Sequence, residues 1–565
     1  MESAVDRSRD VPQNGIAGLK EIRHDIVSGI VVSLVSLPLS SGIAIASGAP
    51  PIYGLISAII AGLIFPFIGG AYLTISGPAA GLAPALLAIM ATLGGAGDAD
   101  HVGGGYHFLL CVIFMVGCIQ MLMALAKLAR FAAIIPVSVV EGMLASIGLM
   151  IIVKQLPSFF GSTAKVHAHE FYQYVLEAPG YAAGMTPAVF AVSAATLGLL
   201  FLLGSMKHVR ALAVIPPQLV AVVAGVILGQ LLGLGNLEGN FLIKLPENAF
   251  HAPQLPAFGE LMGRGDLWYA VAIGVCTLTM IDAVESLATA MAIDRLDPWH
   301  RRSQPNRLLF AMGLSNVASS LFGGLTIIPG GVKSKANIAS GGRTLWANFT
   351  NAVCLILYLV VARDLINLIP KGVLAAVLVY TGYKMCEPLV WKHMAHIGRE
   401  QLGVFSFTIL VTLLTDLLWG IVAGVVAKFA LNMILYRYAV AARSPTGRIP
   451  SLVDTTKAFF ASPVVSAGMK GDEFELVLDR PVVCFNSMKL GAALDAVPAD
   501  ARAVCVRVGD GVGLIDHTSC ENLMHTVEES ARGSVPVRVV GLDGMRRLSE
   551  YEHGTHIAAT ALSPA

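Results

Sequence analysis

The stretch Thr326–Gly342, with the sequence TIIPGGVKSKANIASGG, interrupts an otherwise apolar part of the chain with glycine, proline and two lysines. Backbone that is not helical at the depth of a membrane is stable only where it is buried in protein or lines a watery cavity. The Pro-Gly-Gly sequence therefore predicts a half-helix that begins near Gly331, with the N–H groups and partial positive charge of its N-terminus facing a binding site. Lys333 lies in the first turn of this half-helix and adds a full charge. Such a site suits an anion.

The rest of the chain has the composition of a membrane protein. Of its 565 residues 55% are hydrophobic and 13% charged, and the mean hydropathy is +0.71. Apolar stretches of roughly 20 residues recur, each long enough to cross the hydrocarbon core of a bilayer. Fourteen spans are predicted, near residues 26–47, 52–69, 76–93, 106–127, 132–153, 185–204, 211–233, 268–293, 306–323, 332–342, 345–362, 366–383, 401–416 and 418–438. The predicted fold class is an all-α polytopic membrane domain followed by a small cytoplasmic α/β domain.

The hydrophobic runs stop after Tyr436, which indicates a change of domain. The predicted organisation is an N-terminal tail (1–25), a transmembrane domain (26–440), a linker (441–470), a soluble domain (471–555) and a C-terminal tail (556–565). In the soluble domain, alternating patterns predict an α/β fold. They indicate strands at Phe474–Leu478, Val482–Phe485, Ala503–Val508 and Val535–Val540, and helices at Met488–Ala496 and from about Asp516 to Glu529.

Charge and cysteine placement bound the location and the class of protein. Basic residues are more frequent in the loops that this order of spans puts on the side of the N-terminus, which predicts that both termini are cytoplasmic. We expect a multi-pass protein of the bacterial inner (plasma) membrane, without a cleaved signal. The eight cysteines form no CxxC motif, and the pair His167 and His169 has no third ligand nearby, so no metal site is predicted. No nucleophile–base pair indicates an enzyme, and no basic-aromatic pattern indicates nucleic acid as a partner.

A weak internal symmetry relates the third and tenth spans. The third opens with TISGPAAG (Thr74–Gly81) and the tenth with PGGVKS (Pro329–Ser334). Short segments interrupted by glycine and proline at corresponding positions of two halves are typical of the midplane binding site of an inverted-repeat transporter. The predicted substrate-binding residues are Ser76, Gly77, Ala79 and Ala80 in the third span, and Gly331, Val332, Lys333 and Ser334 in the tenth.

The eighth span carries two acidic residues, Asp282 and Glu285, among apolar neighbours. Burying a carboxylate inside a membrane costs free energy, so such a residue is by default a candidate for a functional role. Asp282, Glu285 and Thr289 are three and four residues apart and share a helix face, and Ser286 is adjacent. These four residues, with Ser76, are candidates for binding a coupling Na⁺, or a carboxylate carries a coupling proton. The alternative is a structural ion pair with a lysine of the tenth span.

These stretches together resemble the SulP family of anion transporters, related to the SLC26 group. The matching stretches are Ser33–Leu55, Leu73–Gly81, Val284–Pro298 and Asn316–Phe349. The resemblance implies two inverted sets of seven segments in core and gate subdomains, a homodimer, and an anion held between the third and tenth segments. It also implies a Na⁺ or proton site at Glu285, with Thr289 and Ser76. The tenth segment departs from the common Phe-Ser-Arg-Ser motif, since it reads Val332-Lys333-Ser334-Lys335.

The stretch GVGLIDHTSCENL (Gly511–Leu523) resembles a STAS domain, the usual cytoplasmic partner of this family. In bacterial relatives of that domain the corresponding loop carries a phosphorylated serine. Here Thr518 and Glu521 have the spacing of a helix capping box, which would engage the threonine hydroxyl. We expect the domain to stabilise, dimerise or regulate the membrane part, or to bind a regulatory protein.

The sequence thus predicts a secondary active transporter of small inorganic anions of the sulfate or bicarbonate class, coupled to Na⁺ or H⁺ through elevator-type alternating access, without a cofactor. A proton-coupled nucleobase carrier of the same fold is one alternative, although it would need acidic residues in both the eighth and tenth spans. An anion sensor that signals through the STAS domain is another. The identity of the anion and of the coupling ion stays open at this point.

Overall fold

The computed structural model describes most of the chain. The described residues are 11–97, 101–129, 135–163, 168, 171–206, 216–237, 241–245, 254–294, 296–299, 301–415, 417–443, 449–498, 501–530 and 536–558. His167 and His169, the first ten residues, part of the predicted linker and most of the predicted C-terminal tail lie outside these ranges. The described part divides into two compact units, one of Met1–Ala129 and Ala145–Cys386, the other of Arg130–Leu144 and Glu387–Ala565.

Each of the fourteen predicted spans contains a helix. In chain order these are α1 Ile22–Ala46, α2 Pro51–Ile68, α3 Ala83–Leu93, α4 Tyr106–Leu125, α5 Val137–Lys154, α6 Pro187–Ser205, α7 Pro217–Leu231, α8 Trp268–Asp294, α9 Pro305–Leu321, α10 Gly331–Ala339, α11 Trp346–Val361, α12 Lys371–Cys386, α13 Arg399–Leu414 and α14 Leu417–Arg443. Several begin with proline at a first-turn position, where the missing N–H costs nothing. Within the described residues, eight stretches are long and apolar enough to cross a membrane, and each of them contains one of these fourteen helices.

Short helices connect or precede these elements. They cover Leu156–Phe160, Phe171–Ala183, Phe258–Gly263, Arg363–Ile366 and Pro388–Ile397, with 3₁₀ turns at Gly15–Glu21, Ala80–Leu82 and Leu234–Asn236.

Close packing in the first unit depends on small residues. α4 lies against α9 where Gly117 meets Gly313, and a Cβ on either glycine would lie 2.6 Å from the carbonyl oxygen of the other. α2 approaches α1 and α11 in the same way through Gly54 and Gly62, whose added Cβ atoms would lie 2.1 Å from the Ser40 carbonyl oxygen and 2.4 Å from that of Asn348. Between apolar helices in lipid, such backbone proximity supplies the van der Waals contact that drives association.

In the third and tenth spans, extended backbone leads into the helix. The third begins with the short strand β1 (Ser76–Gly77), and the tenth is preceded by the strand β2 (Ile328–Pro329). The two strands pair antiparallel, and α3 and α10 follow them. The prediction of interrupted helices at these two places is confirmed.

The C-terminal region forms the expected small α/β fold, which fits a STAS domain. It contains helices α15 Leu452–Phe460, α16 Ser487–Asp495 and α17 His517–Ser530, a 3₁₀ turn at Leu542–Gly544, and strands β3 Val464–Lys470, β4 Glu473–Leu478, β5 Ala503–Val508, β6 Leu514–Ile515, β7 Val537–Val540, β8 Met545–Arg547 and β9 His556–Ala558. The larger sheet has the order β3-β4-β5-β7, with β4, β5 and β7 parallel and β3 antiparallel. A second sheet has the order β6-β9-β8.

Two predictions for this region are wrong. Val482–Phe485 is not a strand, because only Val482 makes a bridge, to Ile515, before Asn486 accepts the N–H of Val483 and turns the chain. Thr518 does not cap its helix. The helix begins one residue earlier, and the Asp516 carboxylate accepts the N–H of Ser519 at 2.9 Å in the capping position. The Thr518 hydroxyl instead accepts the N–H of Val137 at 3.3 Å.

Candidate functional site

The two interrupted segments meet at the β1–β2 pair. Ser76 pairs with Pro329 and Gly77 with Ile328, and the N–H of Gly330 donates to the Ile75 carbonyl at 2.8 Å. The 3₁₀ turn that leads into α3 begins at Ala80, and α10 begins at Gly331, so both helix N-termini lie within a few residues of this pair. The first N–H groups of a helix have no acceptor within it. The structure therefore brings the predicted substrate-binding residues of the two spans together.

Lys333 lies at this junction. Its side chain is 1% exposed, and its Nζ donates to the carbonyl of Pro78 at 3.3 Å, which is its one hydrogen-bond partner among the described residues. A Cβ added to Gly77 would lie 2.6 Å from this Nζ, so the ammonium group packs directly on the interrupted third span. Lys335 is exposed on another face of α10. A buried cation with one neutral partner has unused donors and attracts an anion.

Ser334 has a different position from Lys333. Its Oγ accepts the N–H of Ile75 at 2.9 Å and donates to the Gly330 carbonyl at 2.7 Å. The hydroxyl therefore joins α10 to the third span. Ser76, in turn, is fully buried and its Oγ has no partner among the described residues, which leaves this oxygen available to a ligand.

Glu285 reaches the start of α3. A Cβ added to Gly81 would lie 2.3 Å from each of the two carboxylate oxygens of Glu285, so the carboxylate occupies the space beside the 3₁₀ turn that leads into α3. Glu285 is 7% exposed, and its Oε2 has no hydrogen-bond partner in the described part of the chain. A carboxylate is favourable at the positive end of a helix dipole. An unpaired buried oxygen is also a position where a cation or proton can bind.

The predicted coupling residues of α8 point to two places. Thr289 lies near the start of α10, with its Cγ2 3.9 Å from a Cβ added to Gly331, so Glu285 and Thr289 together extend between the two half-helices. Asp282 instead accepts from Asn316 of α9 at 3.0 Å, and its other oxygen accepts from Ser286 at 3.4 Å. The Ser286 hydroxyl is thus engaged with Asp282. Within the described residues neither acid of α8 forms a salt bridge with Lys333, so the structure does not support the alternative of a structural ion pair.

Sequence reasoning missed a set of buried amides around the site. Asn348 of α11 accepts the N–H of Ser76 at 2.9 Å and donates to the Thr74 carbonyl at 2.6 Å, and Asn337 of α10 donates to the Leu73 carbonyl at 2.9 Å. Asn316 and Gln120 are likewise fully buried. The signal in the sequence is a polar amide within an apolar span, which must find a partner inside the protein.

The fold is that of a polytopic membrane protein, and the family that it matches is one of membrane transporters and not of enzymes. The model of the Sulfate permease family matches residues 22–409. The chain therefore belongs to this family, which confirms the resemblance to SulP proteins.

Individual relatives carry related descriptions. The chain is 27% identical over 417 residues to the putative sulfate transporter YvdB of Bacillus subtilis, with 73% of each chain covered. It is 26% identical over 542 residues to the bicarbonate transporter BicA of Synechocystis, with 94% of this chain and 91% of the relative covered.

Two solved structures are similar. The transmembrane domain of a cyanobacterial BicA aligns with a TM-score of 0.62 at 25% identity, over 73% of this chain and 100% of that one. SLC26A9 aligns with a TM-score of 0.63 at 15% identity, over 92% of this chain and 84% of that one, which shows the likeness of the fold.

Proposed function

We propose that this protein is a secondary active transporter of small inorganic anions of the sulfate or bicarbonate class. The observation that carries the proposal is the meeting of two helix N-termini at the β1–β2 pair, with the buried ammonium of Lys333 beside them. Backbone N–H groups at a helix start and a desolvated cation both favour an anion. The names of the relatives supply the two candidate substrates.

Glu285 is the residue we assign to cation coupling, with Thr289 and Ser76 as further oxygen ligands. Its carboxylate lies at the positive end of α3, so an anion that enters the site meets a like charge there. Two unit charges about 4 Å apart repel by about 4 kcal/mol at an effective dielectric constant of about 20, which is roughly a thousandfold in affinity. A Na⁺ or proton on Glu285 removes this repulsion, so that anion and cation bind together.

The conformational cycle we propose is of the elevator type. The core subdomain, which holds the anion site, would move against a gate subdomain. The protein would be a homodimer in the plasma membrane, with both termini in the cytoplasm. The STAS-like region would regulate this movement or bind a regulatory partner. No cofactor is needed for these steps, because the work comes from the ion gradient.

Uptake into proteoliposomes tests the proposal. The purified protein is reconstituted, and uptake of radiolabelled sulfate and bicarbonate is measured with an inward Na⁺ gradient, with a pH gradient, and with neither. We expect uptake of at least one anion and stimulation by one gradient. Binding of an anion without flux would favour a sensor, and uptake of labelled uracil in place of both anions would favour a nucleobase carrier.

The variant Glu285→Gln tests the coupling role. The amide keeps the size of the side chain but cannot take up a proton and binds Na⁺ poorly, so stimulation by the gradient should be abolished while expression and thermal unfolding stay close to those of the wild type. Uptake by Glu285→Gln that still responds to the gradient as the wild type does would refute the assignment.

A further inference from the structure

Asn316 connects three elements in the interior of the first unit. It lies in α9 and is fully buried. Its Nδ2 donates to the side-chain amide oxygen Oε1 of Gln120 in α4 at 2.9 Å and to the Asp282 carboxylate of α8 at 3.0 Å. Its Oδ1 accepts the backbone N–H of Ile327 at 2.7 Å. Every hydrogen-bonding group of the amide except one lone pair is therefore engaged.

The chemistry of the partners fixes the direction of this amide. The Ile327 N–H can only donate, so it requires the oxygen of Asn316, and the NH₂ group must then face Asp282. Asp282 Oδ2 accepts from this NH₂ group at 3.0 Å. Reversal of the amide would place two acceptors together and two donors together. The Ile327 N–H and Asp282 together therefore determine which way Asn316 points.

The backbone that Asn316 holds leads directly into the anion site. Ile327 precedes β2, whose two residues pair with Ser76 and Gly77, and α10 begins two residues later. The segment just before Ile327 is also held by side chains, since the N–H of Leu325 donates to Ser57 Oγ and its carbonyl accepts from Ser319 Oγ, both at 2.6 Å. The extended segment before α10 thus takes its position from α2 and α9 through these bonds.

We propose that Asp282 is a positioning residue and not a ligand of the coupling cation: through Asn316 it fixes the Ile327–Pro329 backbone against β1 and so sets the start of α10 at the anion site. The inference deepens the proposed function and rests on it. It divides the two acids of α8, since Glu285 has an unpaired oxygen beside α3 while Asp282 has both oxygens engaged by Asn316 and Ser286.

An exchange of the two partners tests the pair. N316D places a carboxylate against Asp282 and removes the donor, and we expect the KM for the anion to rise by about tenfold or more, the effect of losing a buried hydrogen bond to a charged group. In D282N/N316D the amide and the carboxylate change places. The amide now on α8 then donates to the carboxylate now on α9, which still accepts the Ile327 N–H, so we expect the KM to return to within about threefold of the wild type.

The single variant D282N separates positioning from cation binding. Its amide oxygen can still accept from Asn316, so a positioning residue predicts an anion KM within about threefold of wild type and an unchanged dependence on Na⁺ and pH. A cation ligand predicts that this dependence is lost. S315A is the matched control, because among the described residues the Ser315 hydroxyl bonds the Ala311 carbonyl of its own helix and no other element.

All variants are measured as the full chain in proteoliposomes, with thermal unfolding to establish that each is folded. Loss of cation dependence in D282N would overturn the inference, and so would a folded double variant whose KM stays as high as that of N316D. If the double variant does not fold, D282N alone decides. Absence of uptake by the wild type would instead refute the proposed function. The variants cannot give that result, because each is compared with a wild type that transports.

Discussion

Gly81 shows how one residue type makes room for a charged group. The Glu285 carboxylate fills the space beside its Cα, where any other residue would carry a Cβ. The contact would fall on the end of a flexible side chain and not on backbone, so the fold can tolerate a methyl group there. The carboxylate, however, has to leave the start of α3, which separates the cost to stability from the cost to function.

We therefore expect Gly81→Ala to lose gradient-driven uptake while remaining folded. An added Cβ at 2.3 Å from both carboxylate oxygens displaces Glu285 from the place where we assign the cation. The measurement is uptake with and without the gradient, beside the thermal unfolding temperature. Gly198→Ala is the control, since no atom of the described residues lies within 4 Å of a Cβ at this position in α6. Wild-type stimulation of Gly81→Ala by the gradient would contradict the assignment.

Single charged residues were easier to predict than single amides. Lys333 and Glu285 stand out because a charge within an apolar span is costly wherever it lies. Asn316 and Asn348 do not stand out, because their roles depend on hydrogen-bond partners that are distant in the sequence. Asn316 bonds to Asp282, 34 residues away, and Asn348 to Ser76, 272 residues away. The sequence shows which residues are polar but not which of them form hydrogen bonds with each other. These contacts distinguish Asp282, which bonds to α9, from Glu285, which lies beside the start of α3.

At the scale of elements, the extended start of the third span is stabilised by side chains from α10 and α11. Ser334 receives the N–H of Ile75, while Asn348 bonds both the N–H of Ser76 and the carbonyl of Thr74. Inside a membrane, backbone groups that leave a helix need partners within the protein. The Asn348 amide and the Ser334 hydroxyl thus satisfy backbone groups of residues 74–76 that a further strand would otherwise pair.

Asn348→Leu should lower the stability of the membrane domain. The change leaves the Ser76 N–H and the Thr74 carbonyl buried without partners, at a cost of about 1–3 kcal/mol for each group. Asn351→Leu on the same helix is the control. Asn351 is fully buried, and neither its Oδ1 nor its Nδ2 has a partner among the described residues, so its removal should be neutral or stabilising. Thermal unfolding in detergent compares the two, and equal unfolding temperatures would contradict the argument.

The helices themselves were predictable because an apolar run of sufficient length has one stable form in lipid. The predicted span 332–342 lies on α10 Gly331–Ala339, and 268–293 lies on α8 Trp268–Asp294. The C-terminal region was harder, since β3 lies in the predicted linker and Val482–Phe485 is not a strand. Short strands take their form from tertiary pairing, which local sequence does not contain.

At the scale of the whole molecule, the second unit joins membrane helices to the α/β region through buried polar contacts. Lys428 of α14 donates to Gln401 of α13 at 3.2 Å, and Gln401 donates to Thr555 at 3.2 Å. Asn432 of α14 donates to Asp516 at 2.9 Å. All five side chains are fully buried. Polar groups buried between elements lose these bonds if the elements separate, so the α/β region and helices α13 and α14 form one cooperative structure.

The stability of this unit should fall on acidification because of His517, at the start of α17. Its Nδ1 donates to the His553 carbonyl at 2.8 Å, and its ring lies 5.8 Å from that of Tyr551. The pKa of His517 lies below its usual value of 6.5, and burial of the ring is the largest cause. Burial also lowers the pKa of His556. A lowered pKa means that the unfolded state binds the proton more tightly. The resulting stabilisation is complete above about pH 6.5 and is lost as the pH falls below that value.

We expect amide hydrogen exchange of residues 503–523, corrected for the intrinsic rate, to show less protection at about pH 5.5 than at about pH 7.5. His517→Asn should flatten this dependence, because asparagine does not titrate, although His556 leaves part of it in place. His24→Asn, a change at an exposed histidine in the first unit, controls for the exchange of histidine for asparagine. Protection in His517→Asn that still falls with pH as steeply as in the wild type would show that another group carries the effect.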